Sequence, residues 1–166
     1  INDHLISGIS VLSQGKSSNP LNEFFLYHGV PSNISERIAQ QGFDPRYAGE
    51  HFGKMFGFGV YFANYASKSD IYTKPNDNSK IRTMYLARVC LGEIYTTYKR
   101  MDNILRPPER SDKRGLYDSI RAESITNGGC VEFKEYVIYK ETQAYPTFRI
   151  NYEHSANCKC THCIKV

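Results

Sequence analysis

Hydrophobic and polar residues alternate along residues 83–91 and 135–140, which is the pattern of half-buried β-strands. The apolar runs at residues 24–27 and 60–63 are too short for helices and predict buried strands. Weaker patterns predict three more strands, at residues 93–98, 117–122 and 148–152. Pro146 comes just before the last of these and predicts a bend or a β-bulge.

Helical spacing appears only in the first half of the chain. Ile34 and Ile38 fall on one face of a predicted helix, with Asn33 as its N-cap, Glu36 as the capping partner and Gly42 as its end. A second, shorter helix is predicted at residues 65–72. Because the helices come early and the strands late, the pattern favours an α+β fold over regularly alternating β-α-β units.

Length and composition are those of one globular domain. The chain has 166 residues, of which 40% are hydrophobic and 13% aromatic, and this excludes a disordered or collagen-like chain. No apolar run approaches the ~20 residues of a membrane-spanning helix, so no membrane contact is expected. The first residues lack both Met and the features of a signal peptide, so we expect a segment of a longer protein.

The net charge is mild, with 21 basic residues against 17 acidic ones. This balance argues against direct nucleic-acid binding. The basic segment at residues 99–121 is interpreted as a solvated loop, with docking of an acidic partner as the alternative. Five cysteines, three of them within residues 158–163, do not fit a disulfide framework, so an intracellular location, nuclear or cytoplasmic, is expected.

A glycine-rich segment at residues 53–59 has only a superficial likeness to a phosphate-binding loop. It lacks the Gly-Lys-Ser/Thr ending of a P-loop, and a strand follows it where a dinucleotide-binding turn would open a helix. Its glycines are expected to allow a sharp turn or a close approach of the backbone.

Three separated patterns contain the residues that can carry chemistry. They are Leu26-Tyr27-His28-Gly29; residues 55–63 with Ser67-Lys68-Ser69 and Tyr72; and Glu135-Tyr136-Val137-Ile138-Tyr139 with Gln143-Ala144-Tyr145-Pro146. Each of these residues alone has an ordinary structural explanation. In this order and spacing, over about residues 23–152, the chain resembles the catalytic domain of the poly(ADP-ribose) polymerases, the His-Tyr-Glu branch of the ADP-ribosyltransferases.

The tankyrase type looks most similar, through Gly42-Phe43-Asp44, Met55-Phe56-Gly57, Ser67-Lys68-Ser69 and residues 135–146. The resemblance implies an α+β ADP-ribosyltransferase fold, in which two small, mainly antiparallel sheets form an NAD cleft flanked by a few helices. Residues 1–153 are expected to form this catalytic domain, and residues 154–166 a Cys/His-rich tail.

The resemblance also implies a reaction and a set of roles. Such enzymes consume NAD, release nicotinamide and pass ADP-ribose to protein acceptors, including themselves, or to a growing chain. The backbone of Gly29 and the hydroxyl of Ser69 would bind the carboxamide. Tyr61 and Tyr72 would enclose the nicotinamide ring, and His28 would bind the ribose 2′-hydroxyl. The catalytic residues expected from the resemblance are Glu135, His28 and Tyr61.

Glu135 is expected to stabilise the positive charge that develops on the ribose. In the family this Glu accompanies chain elongation, while relatives lacking it mostly transfer one unit, so its presence permits polymer formation. Val30 departs from the family pattern, which usually has Ser or Thr there, and removes a hydroxyl from the NAD site. Residues 73–83 contain no Cys, so the zinc loop of the tankyrases is absent and NAD is the only cofactor expected.

The C-terminal tail contains several soft metal ligands. His154 precedes four zinc candidates, Cys158, Cys160, His162 and Cys163. Lipidation at Cys163 and a mobile, reduced tail are the alternatives. The spacing is tighter than in ordinary zinc sites, so a bound metal is not expected.

Other functions stay open on the sequence alone. A toxin-like relative would modify a single residue once, without building polymer. A non-catalytic module of the same fold would bind ADP-ribose or a protein, and an NAD glycohydrolase would use water as the acceptor. The presence of His28, Tyr61 and Glu135 together argues against the non-catalytic module.

Overall fold

The computed structural model describes residues 21–47, 55–75 and 78–160. Within them, seven strands form: β1 (Glu23–Val30), β2 (Val60–Ala63), β3 (Arg82–Cys90), β4 (Ile94–Thr97), β5 (Ser119–Ala122), β6 (Glu135–Ile138) and β7 (Ala144–Tyr152). Two α-helices, α1 (Ser32–Gln41) and α2 (Ala66–Asp70), follow β1 and β2 respectively. Short 3₁₀ turns lie at Pro45–Tyr47, Ile125–Asn127 and Glu141–Gln143.

The strands join in one mixed sheet in the order β4-β5-β6-β2-β1-β3-β7, and this confirms the predicted α+β class. Every pairing is antiparallel except that of β4 with β5. The expected pair of separate sheets is corrected, because β1 and β2 connect two halves of one sheet. They do so through a single residue pair, Tyr27 with Ala63.

The first helix begins one residue earlier than its predicted cap. Pro31 has an extended backbone and pairs with Lys74, and α1 starts at the following residue without a side-chain cap. Asn33 is therefore inside the helix, and the predicted capping box with Glu36 is wrong. Gly42 ends the helix as predicted, with a φ of 77° and an N–H that donates to the Ile38 carbonyl.

The strand predictions differ from the structure mainly at their ends. The last strand begins at Ala144, four residues before the prediction, because an edge strand tolerates a proline that cannot donate a hydrogen bond. The predicted irregularity is confirmed, since the β3–β7 register shifts where Leu86 and Ala87 face Phe148 and Pro146. The second helix is shorter than residues 65–72. Residues 99–116 contain no helix or strand, as predicted.

Three hydrophobic clusters pack against the sheet. One packs α1 against β1 and β3, with Phe43, Phe62 and Tyr85 fully buried. A second packs the segment around Phe56 against β5 and β6. The third packs α2 against the residues Tyr27, Met84 and Leu86 of β1 and β3. No helix of the described part is long and apolar enough to cross a bilayer.

Candidate active site

A cleft opens in the middle of the sheet, where β1 and β2 separate. Tyr27 pairs with Ala63 in antiparallel register. If this register continued, Gly29 would lie opposite Tyr61. The two strands are no longer paired there, and a cavity of about 530 Å³ lies beside them. This volume is within the range of small-molecule sites.

The cavity brings together all the predicted NAD-site and catalytic residues. It is lined by His28, Gly29, Tyr61, Ser69, Tyr72 and Glu135. These residues come from four elements, β1, β2, α2 and β6, or directly follow one of them. The sequence patterns, which are up to about a hundred residues apart, therefore meet at one site.

His28 bridges the gap between the two separated strands. Its Nδ1 lies 2.7 Å from the backbone oxygen of Tyr61, and its ring packs against Phe43 and Phe62 at centroid distances of 5.1 and 5.4 Å. Because a carbonyl can only accept, Nδ1 carries the proton and Nε2 is left as an acceptor. Burial lowers the pKa of His28 and outweighs the opposing effect of the bond to Tyr61, which favours this neutral form.

Gly29 makes room for the backbone of α2. A Cβ atom placed on Gly29 would lie only 1.8 Å from the carbonyl oxygen of Ser69. Any other residue here would push α2 away from β1. The absence of a side chain therefore fixes the relative position of Gly29 and Ser69 within the cavity wall.

Two tyrosine hydroxyls hold the glycine-rich segment against the cavity. The Tyr61 hydroxyl accepts from the Phe56 N–H at 2.9 Å and donates to the Gly57 carbonyl at 2.8 Å. The Tyr139 hydroxyl donates to the Phe56 carbonyl. Burial raises the pKa of both tyrosines, so both hydroxyls stay protonated and can donate.

The close approach predicted for the glycine-rich segment involves the protein's own backbone. Gly57 has a φ of 77°, and a Cβ atom there would lie 2.1 Å from the Ile104 carbonyl oxygen. That same carbonyl accepts from the Phe58 N–H at 2.9 Å. Residues 53 and 54 of the segment lie outside the described residues.

Lys68 and Glu135 form a buried ion pair at the cavity. Lys68 Nζ lies 2.8 Å from Glu135 Oε1, and the two side chains are only 15% and 9% exposed. The ammonium group also lies 5.1 Å from the centre of the Tyr72 ring. Burial lowers the pKa of Lys68, but its hydrogen bonds to Glu135 and Tyr72 outweigh this and raise the pKa above its usual value. The lysine is therefore charged.

Other cavity residues had no role in the sequence interpretation. Arg37, on α1, stacks its guanidinium 3.9 Å from the centre of the Tyr47 ring, and both residues line the cavity. Lys68, which also lines the cavity, was visible only as part of a motif. These contacts depend on elements distant in sequence, and no local pattern could have indicated them.

Val30, the departure from the family pattern, is a core residue. It is only 2% exposed and belongs to the cluster between α1 and the sheet, although it also borders the cavity. Its side chain therefore contributes packing where a Ser or Thr would contribute a hydroxyl.

The zinc candidates of the tail are only partly described. Cys158 and Cys160 lie beside His154, and the three ligand atoms are within 4.8 Å of one another. His162 and Cys163 lie outside the described residues.

Comparison with known proteins identifies the family. Residues 12–154 match the family model of the poly(ADP-ribose) polymerase catalytic domain. The chain therefore belongs to this family, as the sequence patterns predicted.

The chain is similar to several named members. It is 33% identical over 137 residues to the protein mono-ADP-ribosyltransferase PARP12 of Homo sapiens, covering 82% of this chain and 18% of that protein. It is 30% identical over 142 residues to PARP14 of Homo sapiens, covering 82% and 7%. It is 29% identical over 153 residues to PARP11 of Mus musculus, covering 80% and 43%. The chain thus spans less than half the length of each of these relatives.

Proposed function

We propose that this chain transfers ADP-ribose from NAD to protein side chains, with Glu135 as the central catalytic residue. The observation that carries the proposal is the buried carboxylate of Glu135, held 2.8 Å from Lys68 in the same cavity as His28 and Tyr61. Burying a carboxylate is costly unless it is paired. The Lys68 ammonium supplies that pairing, and the carboxylate still lines a ligand-sized cavity, where it can stabilise a positive charge that develops on a bound substrate.

We assign the nicotinamide end of NAD to the gap between β1 and β2. The backbone of Gly29 and the hydroxyl of Ser69 bind the carboxamide, and Tyr61 and Tyr72 enclose the ring. Neutral His28 keeps Nε2 as an acceptor, which suits a donating ribose hydroxyl. This assignment agrees with the tautomer that the Tyr61 carbonyl requires.

The cavity also offers a cation for the diphosphate of NAD. Arg37 lines the cavity, and its guanidinium carbon lies 3.9 Å from the centre of the Tyr47 ring. A guanidinium can bind phosphate oxygens through two parallel N–H groups. We therefore assign Arg37 to NAD binding, a role that the sequence patterns did not indicate.

The proposed reaction breaks the bond between the nicotinamide nitrogen and ribose C1′. Nicotinamide leaves with the electron pair, and positive charge develops on the ribose. The Glu135 carboxylate stabilises that charge. An acceptor oxygen, nitrogen or sulfur then forms the new bond to C1′ and loses its proton, which completes the transfer.

We propose transfer of single ADP-ribose units as the main product. Support comes from the relatives, which are named as mono-ADP-ribosyltransferases. Chain elongation is the second candidate, because Glu135 is present and the family associates this residue with polymer formation. The resemblance to the tankyrase type belongs with this second candidate.

Four further statements stay predictions. The catalytic domain is assigned to residues 1–153, and self-modification is expected. Nucleic-acid binding is not expected, because the net charge is mild. An intracellular location is expected from the odd number of cysteines.

The product can be determined by incubating the chain with radiolabelled NAD and resolving the protein on a denaturing gel. A sharp labelled band is the expected result. A high-molecular-weight smear would support elongation instead. Nicotinamide release without labelled protein, even with a mixture of candidate acceptors added, would contradict protein modification and indicate a glycohydrolase.

A further inference from the structure

The segment after β7 places three soft metal ligands together. One ring nitrogen of His154 and the sulfur atoms of Cys158 and Cys160 all lie within 4.8 Å of one another. All three residues are partly buried. Neither Cys158 nor Cys160 forms a disulfide with another cysteine in the described part of the chain.

The spacing of these atoms is close to that of ligands around one ion. Cys160 Sγ lies 3.3 Å from His154 Nδ1. In a tetrahedral zinc site, with Zn–S near 2.3 Å and Zn–N near 2.0 Å, a sulfur and a nitrogen ligand are about 3.5 Å apart. An adjustment of a few tenths of an ångström would therefore place both atoms at bonding distance from one ion.

Asp70 fixes the orientation of the histidine in the manner of a metal site. His154 Nε2 lies 2.9 Å from Asp70 Oδ1, and the same oxygen accepts from the Tyr152 hydroxyl. Because the carboxylate accepts the Nε2 proton, the neutral imidazole presents the Nδ1 lone pair toward Cys160. Histidines that bind metals commonly donate their other ring N–H to a carboxylate in this way.

We propose that His154, Cys158 and Cys160 bind a zinc ion. Two thiolates and one imidazole are a ligand set that zinc prefers. The set differs from the four candidates of the sequence analysis, because it includes His154. Three protein ligands leave one tetrahedral position for a further ligand, such as water.

The proposed ion would connect the C-terminal segment to the wall of the cavity. Asp70 is the last residue of α2, the helix that carries Lys68 and Ser69. The chain of contacts therefore runs from the ion through His154 to Asp70. We infer a structural role, in which the bound zinc stabilises the end of α2 against β7.

The test uses the whole chain, purified without chelators and then loaded with Zn²⁺ or Co²⁺ alone. We expect close to one zinc ion per chain by elemental analysis. We also expect a thiolate-to-cobalt charge-transfer band in the near ultraviolet, with the visible bands of tetrahedral cobalt. Chelation of the zinc should lower the melting temperature, because an ion that binds only the folded state stabilises it.

Matched variants locate the site. The double variant Cys158→Ser/Cys160→Ser should lose the metal, the cobalt band and the response to chelation. Cys90→Ser removes a cysteine on β3 and should keep all three. Asp70→Asn should weaken zinc binding about 10- to 100-fold, as for other carboxylates that support a metal-bound histidine.

Two results would overturn the proposal. One is a chain that takes up no zinc or cobalt while its circular dichroism shows a folded protein. The other is a double variant that retains the metal as well as Cys90→Ser does, which would place the ion elsewhere.

Discussion

Lys68 Nζ lies 2.8 Å from Glu135 Oε1, and this ion pair joins α2 to the first residue of β6 at the cavity wall. The pair unites two of the three sequence patterns in one contact. Lys68 also faces the ring of Tyr72. The lysine therefore holds both the carboxylate proposed for catalysis and an aromatic wall proposed for the nicotinamide.

Replacing Lys68 should lower the free energy of unfolding. Lys68→Met leaves the buried Glu135 carboxylate without its partner. We expect a loss of about 1–3 kcal/mol in the free energy of unfolding, below the full range for buried pairs because part of Lys68 reaches solvent. Urea unfolding measures this loss. The control Lys80→Met, at an exposed position, should change it little, and an equal loss in both variants would contradict the importance of the pair.

The contact between Gly29 and Ser69 predicts a steric effect. Gly29→Ala would place a methyl group 1.8 Å from the Ser69 carbonyl oxygen. We expect a loss of about 1–3 kcal/mol in stability and a strong loss of NAD affinity, because α2 must shift. Thermal unfolding and calorimetric titration with NAD measure the two effects.

A second glycine provides the control for that variant. Gly128 has a φ of 82°, and a Cβ atom placed on it would meet nothing within 4 Å. Gly128→Ala should therefore lower stability through backbone strain alone and keep the NAD affinity. If Gly29→Ala binds NAD as well as Gly128→Ala does, the proposed position of the nicotinamide is wrong.

Tyr139 anchors the glycine-rich segment and should contribute to stability without taking part in the reaction. Tyr139→Phe removes the hydrogen bond to the Phe56 carbonyl. We expect a loss of about 1 kcal/mol in stability, since one buried hydrogen bond is removed. Tyr98→Phe, at a side chain that is 53% exposed, should be nearly neutral. Equal melting temperatures for the two variants would contradict the anchoring role.

The burial of His28 predicts a specific dependence of stability on pH. The pKa of His28 in the folded protein lies below its ordinary value of 6.5 because the ring is buried. As the pH falls below about 6.5, the unfolded state takes up a proton before the folded state does. The free energy of unfolding should therefore decline from about pH 6.5 downward, until the pH passes the lowered pKa of the folded state.

The variant His28→Gln isolates this contribution. Its other titrating groups are the same, so only the difference in slope between the two proteins is compared. Unfolding in urea at about pH 7.5 and about pH 5.5, on either side of the ordinary histidine pKa, should show a larger loss for the unsubstituted chain. Equal losses would show that His28 titrates alike in the folded and unfolded states.

The sequence predicted the positions of most strands, because alternation is a local property. Val60–Ala63 forms the strand expected for residues 60–63. Local patterns predicted the ends of helices and strands less reliably. Glu36, the capping partner expected for α1, instead pairs with Arg149 on β7 at 2.9 Å. Arg149 lies more than a hundred residues from Glu36 in the sequence. Its pairing with the Glu36 side chain therefore cannot be predicted from the residues around Asn33.

The candidate site was predicted through the family resemblance rather than through periodicity. All six predicted NAD-site and catalytic residues line one cavity. The Lys68–Glu135 pair and the Arg37–Tyr47 stack were not predicted, because each depends on packing between separate elements. The single sheet was missed for a similar reason, since one residue pair joins its halves.

The most direct test of the proposed function compares the unsubstituted chain with Glu135→Gln. The substitution keeps the shape of the side chain and removes the negative charge that is proposed to stabilise the developing positive charge. NAD affinity, measured by titration, and the rate of nicotinamide release at saturating NAD are determined for both proteins. We predict similar affinities and a release rate at least about 100-fold lower in the variant, the range found when one electrostatic stabiliser is removed. Equal release rates would contradict the assignment of Glu135 as the catalytic residue.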